Sequence, residues 1–123
     1  MKILIFLALL SAPFFSQATD TASDLLSDCQ AVLDYTDLGQ KPKMTPFTAC
    51  VSYIQGVIDV STLYSADEFK TPGTLRYCVP NESTNLQIIR VFMKYAKDNP
   101  HRLHAPRGAI LVLSLQNSFP CKA

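Results

Sequence analysis

The sequence predicts an all-α fold: a small bundle of four to five helices, built as two helical hairpins and held by two disulfides. Three observations predict it. Apolar residues recur at helical spacing in successive stretches. Breakers at Gly39–Pro42 and Asn99–Pro100 fall between those stretches in pairs. An even set of cysteines, Cys29, Cys50, Cys78 and Cys121, flanks the two turns. At 123 residues the chain has room for one domain. Its apolar content of 48% with 17% charged residues excludes a disordered tail.

Residues 1–18 are expected to be a signal peptide. Met1-Lys2 gives a positive start, Ile3 to Leu10 an apolar run, and Ser16-Gln17-Ala18 a small-residue exit. The run is shorter than the roughly 20 residues that span a bilayer, so no membrane association is expected once cleavage near Ala18 has occurred. Residues 19–123 would then form a single helical domain in an oxidising compartment. An oxidising compartment favours disulfides over thiols. Zinc is the competing use of four cysteines, but no C-x-x-C pair is present.

The first helix is read from about Thr21 to Tyr35, on the spacing of Leu25, Leu26, Cys29, Val32 and Leu33. The second opens on Thr45 as N-cap with Pro46 at the first helical position. Its stripe of Phe47, Cys50, Val51, Ile54, Val57 and Ile58 outlasts a strand, the alternative for so β-branched a run. Thr84 and Gln87 have capping-box spacing for the third helix, which runs to Asn99-Pro100. The fourth begins near Pro106. With Ala109 to Leu113 uniformly apolar, it is expected to be the central buried helix.

Four cysteines allow three pairings. Cys29 and Cys50 are equidistant from Gly39–Gln40, and Cys78 and Cys121 from Asn99–Pro100. In antiparallel hairpins such positions share a height, which favours Cys29–Cys50 and Cys78–Cys121. Each bridge would add about 3–4 kcal/mol by the loop-entropy model.

Ser65 to Ser83 shows no periodicity and is long for a connection in a compact domain; such segments are commonly functional. Pro72-Gly73 reads as its tip. Held at Cys78, it would make a binding wedge, with Asp67, Glu68, Phe69, Lys70, Thr71 and Arg76 as candidate contacts; a surface connection packed down by Phe69 and Leu75 is the simpler alternative. Asp59, mid-helix among apolar residues, is read as a buried hydrogen-bonding anchor, and Gly56 as a site of close helix crossing. His101 and His104, three apart, lack a third ligand at suitable spacing and are read as solvated.

The charge balance excludes several function classes. The formal net charge is +1, and removing Lys2 with the leader leaves acids and bases equal. Without a Lys/Arg cluster, no nucleic-acid partner is expected. The G-x-S-x-G and H-E-x-x-H motifs and a Gly-rich phosphate loop are absent. An enzyme is not expected, nor a metal or cofactor.

From the second helix onward the residues form a pattern: Cys50-x-x-Tyr53-x-x-Gly56-x-x-Asp59, then Cys78-x-Pro80, Gln87, Val91, Tyr95, Pro100, Leu103, Leu111 and Phe119-Pro120-Cys121. The pattern resembles the Rap/Tai immunity proteins of bacterial type VI secretion, across Cys50 to Cys121. Ser114 and Ser118 depart from it, since alanine is usual near both. The resemblance implies a helical periplasmic inhibitor, often a homodimer. Its cognate toxin would be a peptidoglycan amidase, a papain-like Cys-His endopeptidase, blocked by a loop inserted into the active-site cleft. It implies structural roles for Tyr53, Gly56, Asp59 and Pro80. A disulfide-tied helical chaperone of the acid-stress type is the alternative of similar size; it would dissociate and expose apolar surface in acid.

Overall fold

The computed structural model describes residues 20–64 and 76–122. Among these it holds four helices, α1 (Ala22–Leu38), α2 (Met44–Tyr64), α3 (Asn85–Asp98) and α4 (Arg107–Ser118), with a 3-10 turn at Pro100–Arg102. The described residues contain no strand beyond one isolated bridge between Thr21 and Pro106. The expected leader, Met1 to Ala18, lies outside the described residues.

Each helix end has a local cause. Thr21 is extended and caps α1: its Oγ1 accepts from the Asp24 amide, and the Asp24 carboxylate accepts from the Thr21 amide at 2.8 Å. Gly39 ends α1 in the left-handed region at φ 64°, where a side chain would be strained. The second helix starts earlier than its sequence signals suggest. Phe47 donates to the Lys43 carbonyl, so Thr45 and Pro46 are the second and third residues of α2 rather than cap and first position. Pro46 still sits in the first turn, where no amide has an intrahelical acceptor and a missing N–H costs nothing. Thr84 caps α3 with both halves of the box formed by Gln87. At the other end the Asn99 side chain donates to the Tyr95 carbonyl, and Pro100 follows.

The bundle is two hairpins, α1–α2 and α3–α4, packed face to face. Leu25, Cys29 and Val32 of α1 are buried, with Cys50 and Ile54 of α2, Ile88, Ile89, Phe92, Met93 and Ala96 of α3, and Ile110, Leu111 and Leu115 of α4. Two helices, α1 and α3, each pack against all three others. The expectation that α4 would be central is corrected here: Leu113 is 37% exposed and Ala109 is exposed, so α4 buries one side only. A uniformly apolar run does not reveal which face a neighbour covers. Ser114 occupies the buried side without an orphaned hydroxyl, because its Oγ donates to the Leu111 carbonyl at 2.7 Å.

The hairpins are joined by more than side chains. The Ala22 and Ser23 amides, in the unsatisfied first turn of α1, donate to the carbonyls of Ala105 and Leu103 in the α3–α4 connection. Arg107 returns the contact, its amide to the Asp20 carbonyl and its guanidinium to the Asp20 carboxylate at 2.9 Å. Asp37, near the end of α1, takes both Arg90 guanidinium nitrogens from α3. Cys29–Cys50 links α1 to α2 with both residues fully buried. Cys78–Cys121 closes the open end of the second hairpin.

Two measurements test this architecture. Leu111→Ala should cost about 2–5 kcal/mol in urea unfolding, whereas Leu113→Ala on the open side should cost about 1 kcal/mol or less. Equal losses would contradict a one-sided α4. The second concerns acid. Amide and hydroxyl donation from Thr21 lowers the Asp24 pKa, and Arg90 lowers that of Asp37. Both groups stabilise the fold above the unfolded value of 3.8 and lose that contribution as pH falls through their folded values. Burial raises Asp28, whose charge therefore opposes folding at neutral pH and whose protonation relieves it. The double variant Asp24→Asn with Asp37→Asn should flatten the fall in thermal stability between about pH 5 and pH 2. An unchanged acid limb would contradict these roles.

Candidate functional site

The segment favoured for binding lies in sequence between the end of α2 and Arg76. Asp67, Glu68, Phe69, Lys70 and Thr71 lie outside the described residues. Arg76 is described and exposed. Beyond it the chain is fastened at successive residues. The Tyr77 hydroxyl donates to the Val57 carbonyl of α2 at 3.1 Å. The Cys78 amide donates to the Phe119 carbonyl at 2.9 Å, beside the Cys78–Cys121 bridge. Val79 packs on the core, and the Ser83 amide closes a turn on the Pro80 carbonyl before Thr84 opens α3. Pro80 thus shapes the approach to α3 from an exposed position.

Beside the Tyr77 anchor lies a groove of about 440 Å³. It is lined by Ser52, Tyr53, Gly56, Val57 and Val60 of α2, by Val112 of α4, and by Tyr77. Its surface is almost wholly apolar, and Val60 is 45% exposed. The groove therefore adjoins the return of the 65–75 segment.

Two of the structural assignments change. Gly56 is exposed, and a Cβ there would meet nothing within 4 Å, so it borders open groove and not a helix crossing. The close approach belongs to Gly108, where a Cβ would stand 3.0 Å from the Tyr53 hydroxyl. Asp59 is exposed rather than buried: α2 turns it away from α1. It ends a surface chain in which Asn85 of α3 donates to Gln55 and Gln55 donates to Asp59, each at 2.7 Å. Tyr53 couples α2 to α4, its ring lying 4.1 Å from the Arg107 guanidinium. Gly108 and Arg107 escape a sequence reading because their partner is more than fifty positions away and nothing local marks it.

All four cysteines are paired. His101 and His104 are exposed in the α3–α4 connection. Among the described residues no three His, Cys, Asp or Glu side chains come close enough to hold a metal ion.

Compared with known proteins, residues 21–121 match a family model described as Rap1a immunity proteins. No curated protein and no solved structure matches the chain.

The open space at Gly56 gives a direct prediction. Gly56→Ala should raise stability by about 0.5–1 kcal/mol, since helix propensity improves and nothing is displaced. A loss of stability in urea unfolding would show that α2 is crossed at that position after all.

Proposed function

Because the chain belongs to the Rap1a immunity protein family over residues 21–121, we propose that it protects a bacterium by plugging the active-site cleft of a peptidoglycan amidase delivered by type VI secretion. Family membership supports immunity to a secreted toxin. The amidase target rests on the resemblance between the motifs from Cys50 to Cys121 and those of Rap/Tai proteins. In this account the toxin is a Cys-His endopeptidase, and the immunity protein does no chemistry. It acts in the periplasm as a homodimer after removal of residues 1–18.

The observation that carries the proposal is the fastening at Tyr77 and Cys78, directly after a long aperiodic segment. A plug must be held in place before it binds, because ordering a loose loop on binding subtracts from affinity. Tyr77 on α2 and Cys78 on the C-terminal tail hold the return end of that segment at two elements of the bundle. Asp67, Glu68, Lys70, Thr71 and Arg76 are proposed as polar contacts, and Phe69 as the residue that fills the cleft, since buried aromatic anchors dominate interface energetics. Two disulfides are in keeping with an oxidising compartment. No described helix is long and apolar enough to cross a membrane.

Replacing Asp67 to Lys70 with Gly-Ser should leave the helical circular dichroism unchanged. It should weaken amidase binding by at least about tenfold in calorimetry, the scale expected for loss of a hot spot. Unchanged affinity would remove the plug mechanism.

A further inference from the structure

The two disulfides occupy opposite environments. Cys29 and Cys50 are fully buried between α1 and α2, and no reductant reaches their sulfurs while the hairpin is packed. Cys78 is exposed and Cys121 partly so. Exposed Lys122 follows Cys121, and exposed Arg76 stands two residues before Cys78. Thiol–disulfide exchange requires access to one sulfur and a leaving thiolate, and nearby cations favour that thiolate.

We propose that Cys78–Cys121 is a selectively reducible strap: a dithiol reductant opens it in the folded protein while Cys29–Cys50 stays closed, and opening it weakens toxin binding. A reductant thiolate attacks Sγ of Cys78, forming a mixed disulfide and releasing the Cys121 thiolate, which takes up a proton. The second reductant thiol then closes on the first sulfur and frees Cys78 as a thiol. The protein disulfide gains two electrons and two protons, and the dithiol loses the same.

What opening changes can be read from the contacts. The bundle keeps its core and its buried bridge, because neither Cys78 nor Cys121 belongs to the fully buried set. The Tyr77 hydroxyl bond and the Cys78 amide bond to Phe119 remain. Opening the bridge removes the one covalent link between the Phe119–Lys122 tail and the Arg76–Cys78 return and leaves non-covalent contacts such as the Cys78 amide bond to the Phe119 carbonyl. The consequence for inhibition rests on the plug account given above; the selectivity of reduction does not.

The test is dithiothreitol titration of the full oxidised protein, trapped with iodoacetamide and mapped by mass spectrometry. Cys78 and Cys121 should be alkylated at least about tenfold faster than Cys29 and Cys50, with helical circular dichroism retained. After the reagents are removed, the opened protein should bind the amidase at least about tenfold more weakly than the oxidised form. The variant Cys78→Ser with Cys121→Ser should reproduce that loss without reductant. Simultaneous alkylation of all four cysteines, or earlier alkylation of the inner pair, overturns the strap. Equal affinity of opened and oxidised protein overturns its effect on binding. If the oxidised protein itself fails to bind, the plug account fails, and the alkylation order still decides whether the strap exists.

Discussion

The burial of α1 is the constraint on which the remaining structure depends. A helix that touches three others needs a continuous apolar face and satisfied polar groups at both ends. Leu25, Cys29 and Val32 supply the buried face. The first-turn amides have partners because the α3–α4 connection offers the Leu103 and Ala105 carbonyls. The other end is closed by Gly39 and by the Asp37–Arg90 pair. Cys29 lies midway, and its bond to Cys50 fixes the register of α1 against α2 from within the core. Through α2 that register also places Val57, the carbonyl that receives Tyr77. The residues that follow the proposed plug are in this way placed by the packing of α1 against α2.

Legibility in the sequence followed the range of each interaction. The box formed by Thr84 and Gln87, the stop at Gly39 and the helical stripe of α2 involve residues within a turn of each other, and they could be read directly. The disulfide pairing was also accessible, because a hairpin turns sequence distance into height. Asp59 and Gly56 were misread for a shared reason. Both lie on α2 faces that point away from α1, and an apolar neighbourhood in sequence does not show which side of a helix is covered. The run from Ala109 to Leu113 misled in the same way: its composition is uniform, but its environment is not. The apolar groove could not have been found, because it exists only where α2, the Tyr77 return and α4 converge.

The functional account joins these levels. Two disulfides and a packed helical core give the described residues their frame. Family membership then identifies the class of partner as a toxin. A bundle of this size gains a large share of its stability from its two bridges. They differ in setting, one buried between α1 and α2 and one joining the start of the α3–α4 hairpin to the C-terminal tail.

The most direct test of the central claim is the stoichiometry of inhibition. Peptidoglycan cleavage by the cognate amidase should fall in proportion to added protein and reach zero when one immunity chain is present per toxin chain. Denaturation of the complex should then release an unmodified, refoldable amidase. Inhibition by catalytic amounts, or a toxin recovered cleaved or covalently altered, would contradict a protein that acts only by occupying a cleft.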